Sequence, residues 1–154
     1  MDYQNLPDIS LFHDRTGVQI RFNDVDVLGH VNNTVYFAFY DTGKAHYFNS
    51  VGGKPVDWKH VDMVIANVNC SFMAPIVFGE DIEVLTTCLS VSNKSMRILQ
   101  LIRETASGQI KSACETVMVC FDPATGQTSP VPEEWKKRAC DFEGRDIIKH
   151  NTIQ

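Results

Sequence analysis

The sequence predicts an α+β protein with one antiparallel sheet and one long, largely apolar helix. Three observations carry this. Val35, Tyr36, Phe39, Tyr40, Gly43 and Tyr47 recur at helical spacing, while Phe37 and Ala38 leave little polar face in the first turns, so this helix is expected to be buried nearly all round. Three strand-like segments, 82–91, 96–104 and 110–121, are joined by short turns and should be antiparallel neighbours. A chain of 154 residues with 44% hydrophobic content is of one-domain size and can bury a proper core. A single helix that is apolar on most sides needs a sheet wrapped around it.

Taken in order, Val18, Ile20 and Phe22 alternate with Gln19, Arg21 and Asn23, the pattern of a half-buried strand. A loop follows, marked by Gly29, and Asn32 or Asn33 is a good N-cap for a helix over about 33–50. Gly52, Gly53 and Pro55 supply its stop. From 63 to 73 the even positions Val64, Ala66, Val68, Cys70 and Phe72 are apolar, and Asn67, Asn69 and Ser71 fall on the other face. Pro75 and a turn at 78–81 end that strand, and the remaining three complete a four-strand meander. Residues 132–138 have acids first and bases last, as a short helix prefers. Residues 1–154 are expected to form a single domain, with 128–154 as a C-terminal extension carrying the short helix.

Composition excludes several classes. A formal net charge of −5 with no basic stripe argues against nucleic acid as a partner. Five cysteines, odd in number and set mostly in apolar strand patterns, read as reduced core residues of a cytosolic protein. No apolar run is long enough to span a bilayer and the N-terminus has no leader pattern, so a cytoplasmic location without membrane attachment is the default. No zinc-like Cys/His spacing, glycine-rich phosphate loop or GxSxG elbow occurs, so no metal or cofactor is expected.

Chemistry concentrates in residues 24–36. Two acids, a histidine and two amides lie within ten residues, just ahead of a helix start. A helix N-terminus presents unpaired N–H groups and partial positive charge, which suits a carbonyl oxygen that becomes negative during reaction. Asp24, Asp26, Gly29, His30, Val31, Asn32, Asn33 and Tyr36 spell D-x-D-x-x-G-H-V-N-N-x-x-Y. This pattern resembles the signature of the 4-hydroxybenzoyl-CoA thioesterase-like branch of hot-dog-fold acyl thioesterases.

The resemblance implies a hot-dog fold, a curved antiparallel sheet of five or six strands around one central helix. It implies hydrolysis of an acyl-CoA or acyl carrier protein thioester to free acid and thiol, by a homodimer or homotetramer that joins sheets edge to edge. Asp26 is then the catalytic carboxylate, acting as general base or as nucleophile. Asp24 is expected to hold the loop by accepting backbone N–H groups. His30 is a supporting or carbonyl-binding residue, Asn32 and Asn33 cap the helix and hold the carbonyl, and Tyr36 lines the acyl pocket. Plant acyl-carrier-protein thioesterases are similar over this segment too, and their catalytic pattern finds Asp26 and His30 but meets Leu28 where an amide belongs. Where relatives carry E-x-A-R, this chain has Asp41, Thr42, Gly43 and Lys44, and a mid-helix glycine suggests close approach of another segment. Lys94 and Arg97 are cations near a turn that could meet coenzyme phosphates, and a solvated edge is the favoured reading of both. A hydratase or dehydratase on the same fold and a non-catalytic acyl-binding domain are the alternatives.

Overall fold

Residues 5–57 and 59–149 are described in the computed structural model. A short strand, β1 (Asp14–Val18), precedes the long helix α1 (Asn33–Gly52). After it come β2 (Met63–Phe72), β3 (Ile82–Val91), β4 (Ser95–Glu104), β5 (Ile110–Cys120) and a second helix, α2 (Glu133–Glu143). All strand pairs are antiparallel, and the sheet order is β1-β3-β4-β5-β2. With α1 packed across one face, this is the arrangement of the hot-dog fold.

Each face of the sheet has its own cover, which is why its middle strands are apolar on both sides rather than alternating. On the helix face, Tyr36, Phe39 and Tyr40 pack against Ile82, Val84, Ile102 and Cys114. Farther along α1, Tyr47 and Val51 meet Cys88, Ile98 and Met118, with Ala139 of α2 closing that end. On the opposite face Phe12 and its neighbours cover Leu85, Leu99, Leu101 and Ala113. All five thiols are free, three of them buried.

Gly43 brings helix and sheet together. A Cβ there would lie 2.5 Å from Val84 Cγ1 and 2.8 Å from Gln100 Nε2, so only glycine allows this approach. Gln100 uses the contact: its side-chain amide donates to the Tyr40 carbonyl at 2.9 Å and to Thr86 Oγ1 at 3.1 Å. At the other end of α1 the buried Glu143 accepts from Tyr47 Oη, Thr87 Oγ1 and the Cys88 N–H at 2.6 to 2.7 Å. That anchor explains why α2 runs on to Glu143 instead of stopping near residue 138. No helix among the described residues is long and apolar enough to cross a membrane.

Four local expectations are corrected. The strand expected over 18–23 ends at Val18, and Phe22–Asp24 forms a 3-10 turn with Phe22 82% exposed. The Asp24 carboxylate closes that turn, taking the Arg21 N–H at 2.7 Å and the guanidinium at 3.0 Å. The four later strands are not a meander, because β2 pairs with β5 and not with β3. Within β2 the register shifts between Ile65 and Asn67, so the side facing the helix changes from Met63 and Ile65 to Val68, Cys70 and Phe72, and Val64 leaves the expected even-numbered set. Finally, α1 is not buried all round: Phe37, Ala38, Asp41 and Thr42 are exposed, since no strand among the described residues covers them.

Candidate active site

The loop between the 3-10 turn and α1 is tied at its base before it reaches the site. Asn32 N–H donates to the Asp24 carbonyl and Val31 N–H to the Ile76 carbonyl, both at 2.8 Å. Above these ties Asp26 N–H donates to the His30 carbonyl and Gly29 N–H to the Asp26 carbonyl, both at 3.0 Å. Gly29 has φ 78°, a left-handed angle that glycine adopts without strain. The result is a short projecting loop whose tip, Val27 and Leu28, is exposed.

At its root the Asp26 carboxylate is held from two sides. Oδ1 accepts the Leu28 N–H at 2.9 Å, and Oδ2 accepts the Asn32 side-chain amide at 3.3 Å. The oxygen of the same Asn32 side chain accepts the Thr34 N–H at 3.0 Å and Thr34 Oγ1 at 2.7 Å, which makes Asn32 the N-cap of α1. One asparagine therefore caps the helix with its oxygen and orients Asp26 with its nitrogen. Asn33 follows as the first helical residue, and its N–H has no carbonyl to bond within the helix.

A half-buried carboxylate with a fixed direction thus sits beside the positive end of a twenty-residue helix. Such a pair can deprotonate or attack on one side of a carbonyl while stabilising charge on its oxygen from the other.

The remaining sequence candidates fall in different places. Asp24 is buried, and although burial works against ionisation, the Arg21 side chain and N–H hold its carboxyl below the usual carboxylate range. His30 is exposed, and its ring makes no hydrogen bond to Asp26. Asn33 is exposed beside it. Tyr36 is buried edge-on against Phe72, with ring centroids 5.0 Å apart, and burial pushes its phenol above the ordinary range. Lys44 pairs with Asp41 at 3.0 Å. Arg97 is bound to Glu115 at 2.6 Å and Lys94 to Thr128 at 2.9 Å, so both are engaged within the chain.

Two features of the site lay beyond the sequence reading. The link from Asn32 to Asp26 spans six residues and exists only because the loop doubles back at Gly29. The other is a groove of about 600 Å³ between the second half of α1, residues 54–57 and 60–62, the start of β2 and α2. Its helix wall was present in the sequence as Ala45 and Phe48, but nothing in the sequence said which segments would oppose them.

A family profile described as the thioesterase-like superfamily matches residues 20–139. Among curated proteins, the long-chain acyl-CoA thioesterase FadM of Escherichia coli K12 is 22% identical over 127 residues, covering 80% of this chain and 95% of that protein. Among solved structures, a thioesterase of Thermus thermophilus complexed with coenzyme A and zinc superposes with a TM-score of 0.77. It is 28% identical and covers 87% of this chain and 97% of its own. A 1,4-dihydroxy-2-naphthoyl-CoA thioesterase of Synechocystis shares the fold with a TM-score of 0.74 at 19% identity, covering 83% of this chain and 96% of its own.

Proposed function

The chain belongs to the thioesterase-like superfamily and is a thioester hydrolase acting on acyl-CoA, and we propose that Asp26 is the carboxylate on which that hydrolysis turns. The observation that carries this is the clamp on Asp26. A carboxylate fixed by Leu28 N–H and the Asn32 amide keeps one orientation, and proximity to a fixed group lowers the barrier to attack on a bound carbonyl. The thioester carbonyl oxygen is placed at the start of α1, where the Asn33 N–H and the helix dipole stabilise the developing oxyanion. His30 and Asn33, both exposed at the loop, hold the carbonyl from its open side, and Tyr36 forms the wall behind it. Water activated by Asp26 attacks the carbonyl carbon, and the thiolate of coenzyme A leaves and takes up a proton; or Asp26 itself attacks, the thiolate leaves, and water then cleaves the resulting mixed anhydride to free acid and carboxylate. Single-turnover hydrolysis in ¹⁸O-water identifies the nucleophilic route where label enters Asp26, which requires water to cleave the mixed anhydride at the Asp26 carbonyl, and capture of the anhydride by hydroxylamine identifies it where water attacks the acyl carbonyl instead.

We further propose that the working form is a homodimer or homotetramer joined along β2. Among the described residues this strand lies at an edge of the sheet, and Val64, Ile65, Val68 and Phe72 are all exposed on it. A partner there would also cover the open flank of α1. A single cytoplasmic domain serving fatty-acid metabolism is the setting this reading implies.

Asp26→Asn is the test. It keeps size and loop hydrogen bonding while removing the charge, and kcat should fall by about 10²–10⁴ with the fold intact. A folded variant with near-normal kcat on its best acyl-CoA would move the role to Asp24 or His30.

A further inference from the structure

Phe37, Asp41, Ala45 and Phe48 follow one another at i, i+4, i+8 and i+11, so they form one stripe along α1. The stripe begins one turn after Asn33, where the carbonyl is placed, and its second half opens into the groove of about 600 Å³. The groove walls are Ala45, Phe48, Met63, Ile65, Met118 and Trp135. Its charged groups are largely engaged with one another, Lys44 with Asp41 at 3.0 Å and His60 with Asp57 at 2.7 Å. Counting Lys54 and Asp62, the lining holds three acids, two lysines and a histidine, so it has no net positive charge for the coenzyme phosphates, and its apolar walls suit an uncharged apolar group.

We infer that this groove seats the far end of the acyl chain, and that the enzyme prefers long, unbranched, uncharged acyl groups. The inference rests on the reading of Asp26 and α1 as the thioester site. At a helix rise of about 1.5 Å per residue, Asp41 lies about 12 Å beyond Asn33, so a short acyl group ends before the groove begins. A long one buries its tail against Phe48, Met118 and Trp135, and that contact is absent for acetyl or butyryl groups.

The experiment narrows the groove from two independent walls, Ala45→Phe on the helix and Val61→Trp on the segment ahead of β2, and compares kcat/KM for palmitoyl-CoA and butyryl-CoA. The wild-type enzyme should favour palmitoyl-CoA, and in each variant the palmitoyl-to-butyryl ratio should fall by about 10-fold or more. Binding of palmitic acid, followed by displacement of a fluorescent fatty acid, should weaken in parallel. Because the readout is a ratio within one protein, partial loss of folded enzyme cancels. A wild type that prefers butyryl-CoA, or an unchanged ratio in both variants, overturns the inference while leaving the thioesterase reading standing. Failure of the wild type to cleave any acyl-CoA would instead sink that reading, and would be seen first.

Discussion

Gly43→Ala sets two physical effects against each other. In a helix interior glycine costs about 1 kcal/mol relative to alanine, so propensity alone makes this a stabilising change. Packing says the opposite. The new methyl would stand 2.5 Å from Val84 Cγ1, 3.1 Å from Val84 Cβ and 2.8 Å from Gln100 Nε2. Both neighbours are fully buried, Val84 in β3 and Gln100 in β4, so neither can swing into solvent. Overpacking of this kind costs about 1–3 kcal/mol. Displacing the Gln100 amide from the Tyr40 carbonyl and Thr86 Oγ1 adds about 1–3 kcal/mol for a buried group left unpaired. Subtracting the propensity gain leaves a net loss of about 1–5 kcal/mol. For a chain of this size that lowers Tm by about 3–15 °C. Thermal and urea unfolding followed by circular dichroism measures it. Adding Val84→Ala should recover part of the loss, because the two sites share one contact. A Tm equal to or above wild type would show that Gly43 does not set the spacing between α1 and the sheet.

Three other outcomes follow from the site and the sheet edge. Asn32→Ser keeps a good N-cap but removes the amide that orients Asp26, so kcat should drop by about 10-fold or more with Tm nearly unchanged; equal loss of both would assign Asn32 to the cap alone. Asp24, whose folded pKa lies below its ordinary 3.8, stabilises the fold at pH above that value, and the contribution fades as pH falls below it toward the lowered folded value. The stability gap between wild type and Asp24→Asn should therefore be open at pH 7 and close below pH 3.8, and a gap equal at pH 7 and pH 3 contradicts the Arg21 pairing. Light scattering at micromolar concentration should give a multiple of the 17.4 kDa chain mass, and a stable monomer would remove the case for a shared β2 edge.

Local features could be read from the order of residues alone. The helix start at Asn33 is written in a cap residue and a glycine turn, and the close approach at Gly43 in a glycine where none is otherwise tolerated. Strands β3, β4 and β5 are bounded by turn chemistry and could be read to within a residue. A dense motif marks Asp26 and Asn32 in the sequence, and the hydrogen bond between their side chains is what the fold adds. Which distant segments meet is settled by long-range packing. The alternation over Val18, Ile20 and Phe22 lost to a carboxylate three residues on from Arg21, since an ionised hydrogen bond to the backbone outweighs a weak strand pattern. The partner of β2 is β5, nearly forty residues away along the chain, and no local periodicity records a pairing at that range. The register shift after Ile65 exchanges the faces of the strand, and a count of alternate residues assumes a regularity that one extra residue breaks. The groove is the extreme case: its walls come from α1, β2, β5 and α2, each contributing side chains that look ordinary alone, and its shape arises only when the backbone hydrogen bonds of the sheet fix their separation.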